Sequence, residues 1–255
     1  MAETLLSPGV LARENDLSAV TAQPIQAGAA IIGPTVKGPV GIPTLVSSYS
    51  EYAQAFGTTF LSASLQQEFL TSNSAYNYFN NGGTTLLVTR VVSGSFTSAT
   101  STNISGSGVA VATSFTLKTF GEGEIMNSSG SEVDGALVSG SSDNLRWEVA
   151  GFSTSSGTFS LLIRRGDDTT SEKTVLESYA NLSLDPTAPN YISKVIGDSY
   201  KTVNTSDTTP YVQDNGTFPN RSRYVYVSAV NSKTPQYFDN NGDFKSEYTF
   251  DLSAN

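Results

Sequence analysis

The chain has 255 residues, enough for a substantial core and for two domains. Its net charge of −9 argues against nonspecific DNA binding, which needs clustered Lys and Arg. With no His and no Cys, Ser-His-Asp and Cys-His catalysis, ordinary zinc sites and disulfide stapling are all excluded. Hydrophobic content of 38% and charged content of 15% are both low for a globular chain. About a quarter of the residues are Ser or Thr, a β-rich, polar and uncharged composition that suits a coat or shell protein. No apolar run of about 18 residues is present, so no membrane-spanning segment is expected. The N-terminus lacks a positive region leading an apolar core, so no secretory signal is expected either.

Residues 1–25 read as an extended arm. Pro8-Gly9 disfavours a helix, and the apolar Leu5, Leu6, Val10 and Leu11, with Arg13 and Glu14 behind them, have no local core to enter. Ala29 to Gly33 reads as a buried strand that Gly33-Pro34 ends, and prolines 34, 39 and 43 stiffen the connection after it. Ser48-Tyr49-Ser50-Glu51 has capping-box spacing, with Tyr49, Tyr52, Ala53 and Phe56 on one helical face and Gly57 as the stop. A second helix is expected from about Leu61 to Phe79, because Leu61, Leu65, Phe69, Tyr76 and Phe79 share a face. Asn80-Asn81-Gly82-Gly83 ends it. The nearly all-apolar run Leu86 to Val92 then reads as a strand buried on both faces. The expected architecture is α+β: a small N-terminal α/β unit (26–92) preceded by the arm and followed by a β-rich inserted domain.

Residues 93–115 form a Gly/Ser/Thr-rich connection with short strands around Val109 to Thr113. Residues 116–205 read as a β-rich outer domain. Leu145 to Val149 alternates in period two, Thr158 to Arg164 does so approximately, Arg165-Gly166-Asp167-Asp168 is a turn, and Lys173 to Glu177 is the return strand. Residues 206–255 read as a further, incomplete β-rich segment, with Tyr224-Val225-Tyr226-Val227 as a half-buried strand. Asp214-Asn215-Gly216 reads as a hairpin turn between Tyr211-Val212 and Thr217-Phe218.

The ordered set of segments Leu5–Leu11, Ala29–Pro34, Lys37–Val46, Leu61–Phe79 and Thr85–Val92 resembles the N-terminal part of contractile-tail sheath proteins, especially those of T-even-like phages. Val175-Leu176-Glu177-Ser178-Tyr179-Ala180-Asn181-Leu182-Ser183, followed by Asn190-Tyr191-Ile192-Ser193-Lys194-Val195-Ile196, is similar to a hairpin and short helix of the same family. The chain departs from the family at Gly121-Glu122-Gly123-Glu124-Ile125-Met126-Asn127, where a G-x-W-G-N turn is common.

The resemblance implies a homo-oligomer of neighbouring sheath subunits wound around a tail tube protein, with baseplate and tail terminator proteins as further partners. It places the protein in the virion, as part of a phage tail assembled in the host cytoplasm. By the same resemblance the arm residues Leu5, Leu6, Val10, Leu11, Arg13 and Glu14 cross to a neighbouring subunit. Sheath subunits also continue into a C-terminal part for which the chain has no room, so a fragment is expected. The competing reading is a β-rich adhesin or carbohydrate-binding surface module.

Nothing in the residues demands chemistry. Glu122 and Glu124 have the composition of a glycosidase pair but flank a glycine, and read as a solvated turn. Asp239-Asn240-Asn241-Gly242-Asp243 misses the calcium-loop spacing at its glycine and at its twelfth position, Phe250, and reads as an Asx-rich turn. Arg165-Gly166-Asp167 reads as a hairpin turn rather than an adhesion tripeptide. Two roles stay open for Arg90: a tie from the core to an acidic neighbour, or a surface ion pair. No enzyme activity, catalytic residue, metal or cofactor is expected, and no nucleic-acid partner.

Overall fold

The computed structural model describes residues 28–101, 104–105, 113–126, 132–133, 136–137, 141–153, 157–206 and 208–231. The chain is α+β and dominated by short strands. Strand β1 (Ala29–Gly33) leads through the proline-stiffened connection to β2 (Thr44–Val46) and helix α1 (Tyr49–Phe56). A hairpin of β3 (Thr59–Ser62) and β4 (Leu65–Glu68) follows, then α2 (Leu70–Asn80) and β5 (Leu86–Arg90). β5 is central in a three-stranded sheet, parallel to β1 and antiparallel to β2.

Helix α1 starts where the sequence places it. The Ser48 hydroxyl accepts the Glu51 amide at 3.2 Å, filling one orphan donor of the first turn. The reciprocal half of the capping box slips by one residue: the Glu51 carboxylate accepts the Ser47 amide at 2.8 Å and its hydroxyl at 2.7 Å. Those bonds hold the Glu51 carboxyl below its ordinary pKa. Gly57 ends the helix at φ 71°, its amide on the Ala53 carbonyl at 3.0 Å, and a Cβ there would meet the Val36 Cβ at 2.8 Å. Tyr52 and Phe56 pack fully buried with Val46, Ala75, Leu86 and Val88.

Three expectations for this unit need correction. Residues 59–68 form the β3–β4 hairpin and not the first turns of a helix, with Leu61 78% and Leu65 64% exposed. The helical spacing of Leu61, Leu65 and Phe69 is coincidental, since Phe69 stacks on Phe60 of the hairpin with ring centroids 4.6 Å apart. Helix α2 therefore begins only at Leu70 and buries Thr71, Ser72 and Ala75, while Tyr76 stays 49% exposed. Among the described residues β1 is an edge strand and not a buried one: Ile31 packs on the core but Ile32 is 73% exposed. Strand β5 ends at Arg90 and buries Leu86, Val88 and Arg90 on one face, its other face being half-buried.

The β3–β4 turn carries Ala63 at φ 50° and Ser64 at φ 63°, both left-handed. A two-residue turn of this kind favours Asn-Gly, because Cβ crowds the following carbonyl oxygen in the left-handed region; Gly has no Cβ, and the Asn side chain offsets the cost by hydrogen-bonding locally. A63N/S64G is expected to raise stability by about 1 kcal/mol in urea denaturation. An unchanged or lowered midpoint refutes that turn geometry.

The remainder is β-rich. It comprises β6 (Ser98–Thr100), β7 (Ile104–Ser105), β8 (Thr113–Glu122), β9 (Glu132–Val133) and β10 (Ala136–Leu137). Next come β11 (Leu145–Ser153), β12 (Thr158–Arg165), β13 (Val175–Leu182), α3 (Ile192–Val195), β14 (Tyr200–Asn204), β15 (Tyr211–Asn215) and β16 (Val225–Val230). β11, β12 and β13 form an antiparallel meander, as their alternation predicts. β8 pairs with β16, β6 and β7, so part of the stretch after Ser93 is sheet rather than irregular connection. Val109 to 112 lie outside the described residues.

Both sheets contribute to one core. Phe115, Leu117, Val225 and Val227 pack with Leu145, Trp147, Phe159, Leu161 and Ile163, and α3 adds Ile192 and the adjoining Ile196. Tyr226 and its neighbours are buried rather than half-buried. Asp214-Asn215-Gly216 is not a hairpin turn. Asp214 and Asn215 are the end of β15, which pairs antiparallel with β14 and joins it on the Asn204–Tyr211 side.

Candidate functional site

Charged side chains concentrate where the α/β unit meets the β8 sheet. Arg90, at the end of β5, is only 5% exposed, which removes the surface ion-pair reading. Its Nη1 donates to the Gly38 carbonyl at 2.6 Å and the Glu122 carbonyl at 2.8 Å, and its guanidinium lies 5.7 Å from the Phe96 ring centroid. Burial works against the Arg90 charge, and the Glu122 and Glu124 carboxylates oppose that effect. Arg90 thus ties the α/β unit to β8 within the same chain.

Glu122 and Glu124 are not a solvated turn. Glu124 is half-buried and folds over Gly121, where a Cβ would lie 2.4 Å from its Oε1. Its carboxyl is pushed up to about 7, chiefly by burial; Asp143 adds to the rise, while Lys37 and Arg90 oppose it. Glu122 is raised too, again by burial, against Arg90 and a hydrogen bond from the Val40 amide. Lys37 and Asp143 form a bridge across the same junction at 3.5 Å. Farther along the contact the Gln54 amide donates to the Tyr224 hydroxyl at 2.7 Å, and Arg223 Nη1 donates to Gln54 at 3.0 Å. A cavity of about 480 Å³ lies against these groups, lined by Pro39, Gln54, Glu122, Glu124, Tyr200 and Tyr226 among others.

A second charged cluster sits in the β11–β12–β13 sheet. Arg164 grips Asp168 with Nε at 2.8 Å and Nη2 at 2.9 Å, and reaches Glu148 through Nη1 at 2.7 Å. Lys173 joins Glu148 at 2.6 Å, and Arg146 Nε donates to the Gly166 carbonyl at 2.7 Å. Next to it, Arg165-Gly166-Asp167 is the expected turn, with Arg165 bonded to Asp167 and the Gly166 amide on the Asn144 carbonyl at 2.7 Å. A Cβ on Gly166 would lie 2.4 Å from the Asn144 Cβ, so the tripeptide is pressed against a neighbouring turn.

The arm residues Leu5, Leu6, Val10, Leu11, Arg13 and Glu14 lie outside the described residues, as does Asp239 to Asp243. Among the described residues no group of three acidic side chains is placed to hold a metal ion, and no helix is long and apolar enough to cross a membrane.

No family model matches the chain, and no curated protein does. Among solved structures it is similar to a sheath tail protein from Desulfitobacterium hafniense, at 10% identity and a TM-score of 0.29. That similarity covers 92% of this chain but 41% of the other, so the chain spans less than half of that protein's length.

Proposed function

We propose that the chain is a structural subunit of a contractile phage tail sheath, polymerising helically around a tail tube and contracting to drive the tube through the host envelope. What carries the reading is the ordered set of N-terminal segments that resembles sheath proteins. The unit those segments build has a feature the function needs. Strand β1 has a β5 neighbour on one side and no strand partner on the other among the described residues. An open strand edge is a template for strand addition, and residues 1–25, with their apolar teeth, are the segment to add to a neighbour's edge. The exposed Ile32, Leu61, Leu65 and Leu70 give the same unit apolar surface suited to subunit contacts.

An asymmetric subunit repeated by rotation plus translation makes heterologous contacts that do not close, and so builds tubes. Contraction is then a rigid-body change between two packings of folded subunits. The partners are neighbouring copies, the tube, the baseplate and the terminator, and the place is the virion tail after assembly in the host cytoplasm. Negative-stain electron microscopy of the full-length protein is expected to show tubes or polysheath. Deleting residues 1–20 should leave a folded protein that no longer polymerises. Monodisperse particles under all conditions overturn the function, and normal tubes from the deletion variant overturn the role of the arm.

A further inference from the structure

We infer that the contact between the α/β unit and β8 is a proton-operated latch, closed when Glu124 is neutral and loosened when it is ionised. The charged groups facing Glu124 come from three segments: Lys37 is on the β1–β2 connection, Arg90 ends β5 and Asp143 precedes β11. Glu122, at the end of β8, joins the cluster through Arg90, on which both carboxylates act. Across the cavity, Lys201 is paired with Asp214 at 2.7 Å, and Arg223 is occupied by Gln54. With Glu124 ionised, the three carboxylates Glu122, Glu124 and Asp143 share two cations, Lys37 and Arg90. With Glu124 protonated the cluster balances.

Geometry makes the imbalance matter. The Glu124 carboxyl accepts no hydrogen bond from any described residue: Arg90 turns Nη1 to two carbonyls and leaves its buried Nε without a hydrogen-bond partner among the described residues, and Lys37 bridges to Asp143. The extra charge is therefore unpaired and only partly exposed while the contact is closed, and opening the contact along the cavity that Glu124 lines hydrates it further. The sign follows from the raised carboxyl, at about 7 against an ordinary 4.5. The closed contact is most stable below the ordinary value and loses stability as pH rises from there through about 7.

Amide hydrogen exchange on the full chain tests this at two bonds. The Glu122 amide donates to the Gly38 carbonyl at 3.2 Å, across the contact, and the Gly41 amide donates to the Arg90 carbonyl at 3.0 Å. After correction for intrinsic exchange, their protection should fall about tenfold between pH 6 and pH 8, as a carboxyl moving from about 7 to its ordinary value requires. In E124Q, neutral at every pH, protection should be equal at both. Carboxyl carbon NMR on the unmodified protein gives an independent reading, with a Glu124 midpoint near 7. Equal pH dependence in E124Q and the parent, or a Glu124 midpoint below about 5, overturns the latch.

Discussion

Asp168→Ala is expected to destabilise the protein by about 3–5 kcal/mol, the cost of leaving a buried charge without its partner. The Asp168 side chain is 0% and that of Arg164 5% exposed, so water cannot replace the lost contact. The carboxylate also accepts the Thr174 amide at 2.9 Å and fixes the start of β13 as it returns along β12. Removing it leaves Arg164 with Glu148 and the Thr169 carbonyl, and Glu148 is already shared with Lys173. A double-mutant cycle separates pairing from packing. R164M/D168A should cost clearly less than the sum of its single variants, because the double change removes both charges. Urea denaturation gives the numbers, and a loss under about 1 kcal/mol for Asp168→Ala would refute the buried pairing.

That cluster also marks the limit of what the sequence discloses. Alternation in Leu145 to Val149 names the two faces of β11, and the apolar face lies in the core as expected. The other face, Arg146 and Glu148, reads as solvated in any one-dimensional pattern, yet both side chains are buried by partners that the hairpin turn and β12 bring in. Local signals are legible because the Ser48 cap, the Gly57 stop and the turn at Gly166 depend on neighbours in sequence, whereas the short helix at Ile192 is expected only from the family resemblance. Pairing between β8 and β16, which matches Phe115 with Val230 and Thr119 with Val225, depends on residues far apart and leaves no local trace. The β3–β4 hairpin was hidden differently. Its turn is Ala-Ser rather than Asn-Gly, and Gln66 and Gln67 are good helix formers, so local preference and tertiary outcome disagree. The half-buried setting of Glu124 was invisible because it arises from Lys37, Arg90 and Asp143 converging from three separate segments.

Arg90→Met should cost about 2–4 kcal/mol, since hydrogen bonds from a charged group contribute about 1.5–3 kcal/mol each and Met restores only the packing. The loss is unequal between the two acceptors. The Gly38 carbonyl keeps the Glu122 amide, while the Glu122 carbonyl loses the Arg90 donor. Arg90→Lys should recover part of the loss, because both bonds leave the single nitrogen Nη1 and an ammonium also carries several donors on one nitrogen, but it lacks the planar guanidinium that lies near Phe96. A second readout separates a tie between units from generic core damage. Arg90 holds the Glu124 carboxyl down, so its removal should move the Glu124 midpoint above about 7, and a core substitution such as Leu161→Ala should leave that midpoint where it is. If Arg90→Met lowers stability but leaves the Glu124 titration unchanged, Arg90 is only a packed side chain and the electrostatic link between β5 and β8 is absent.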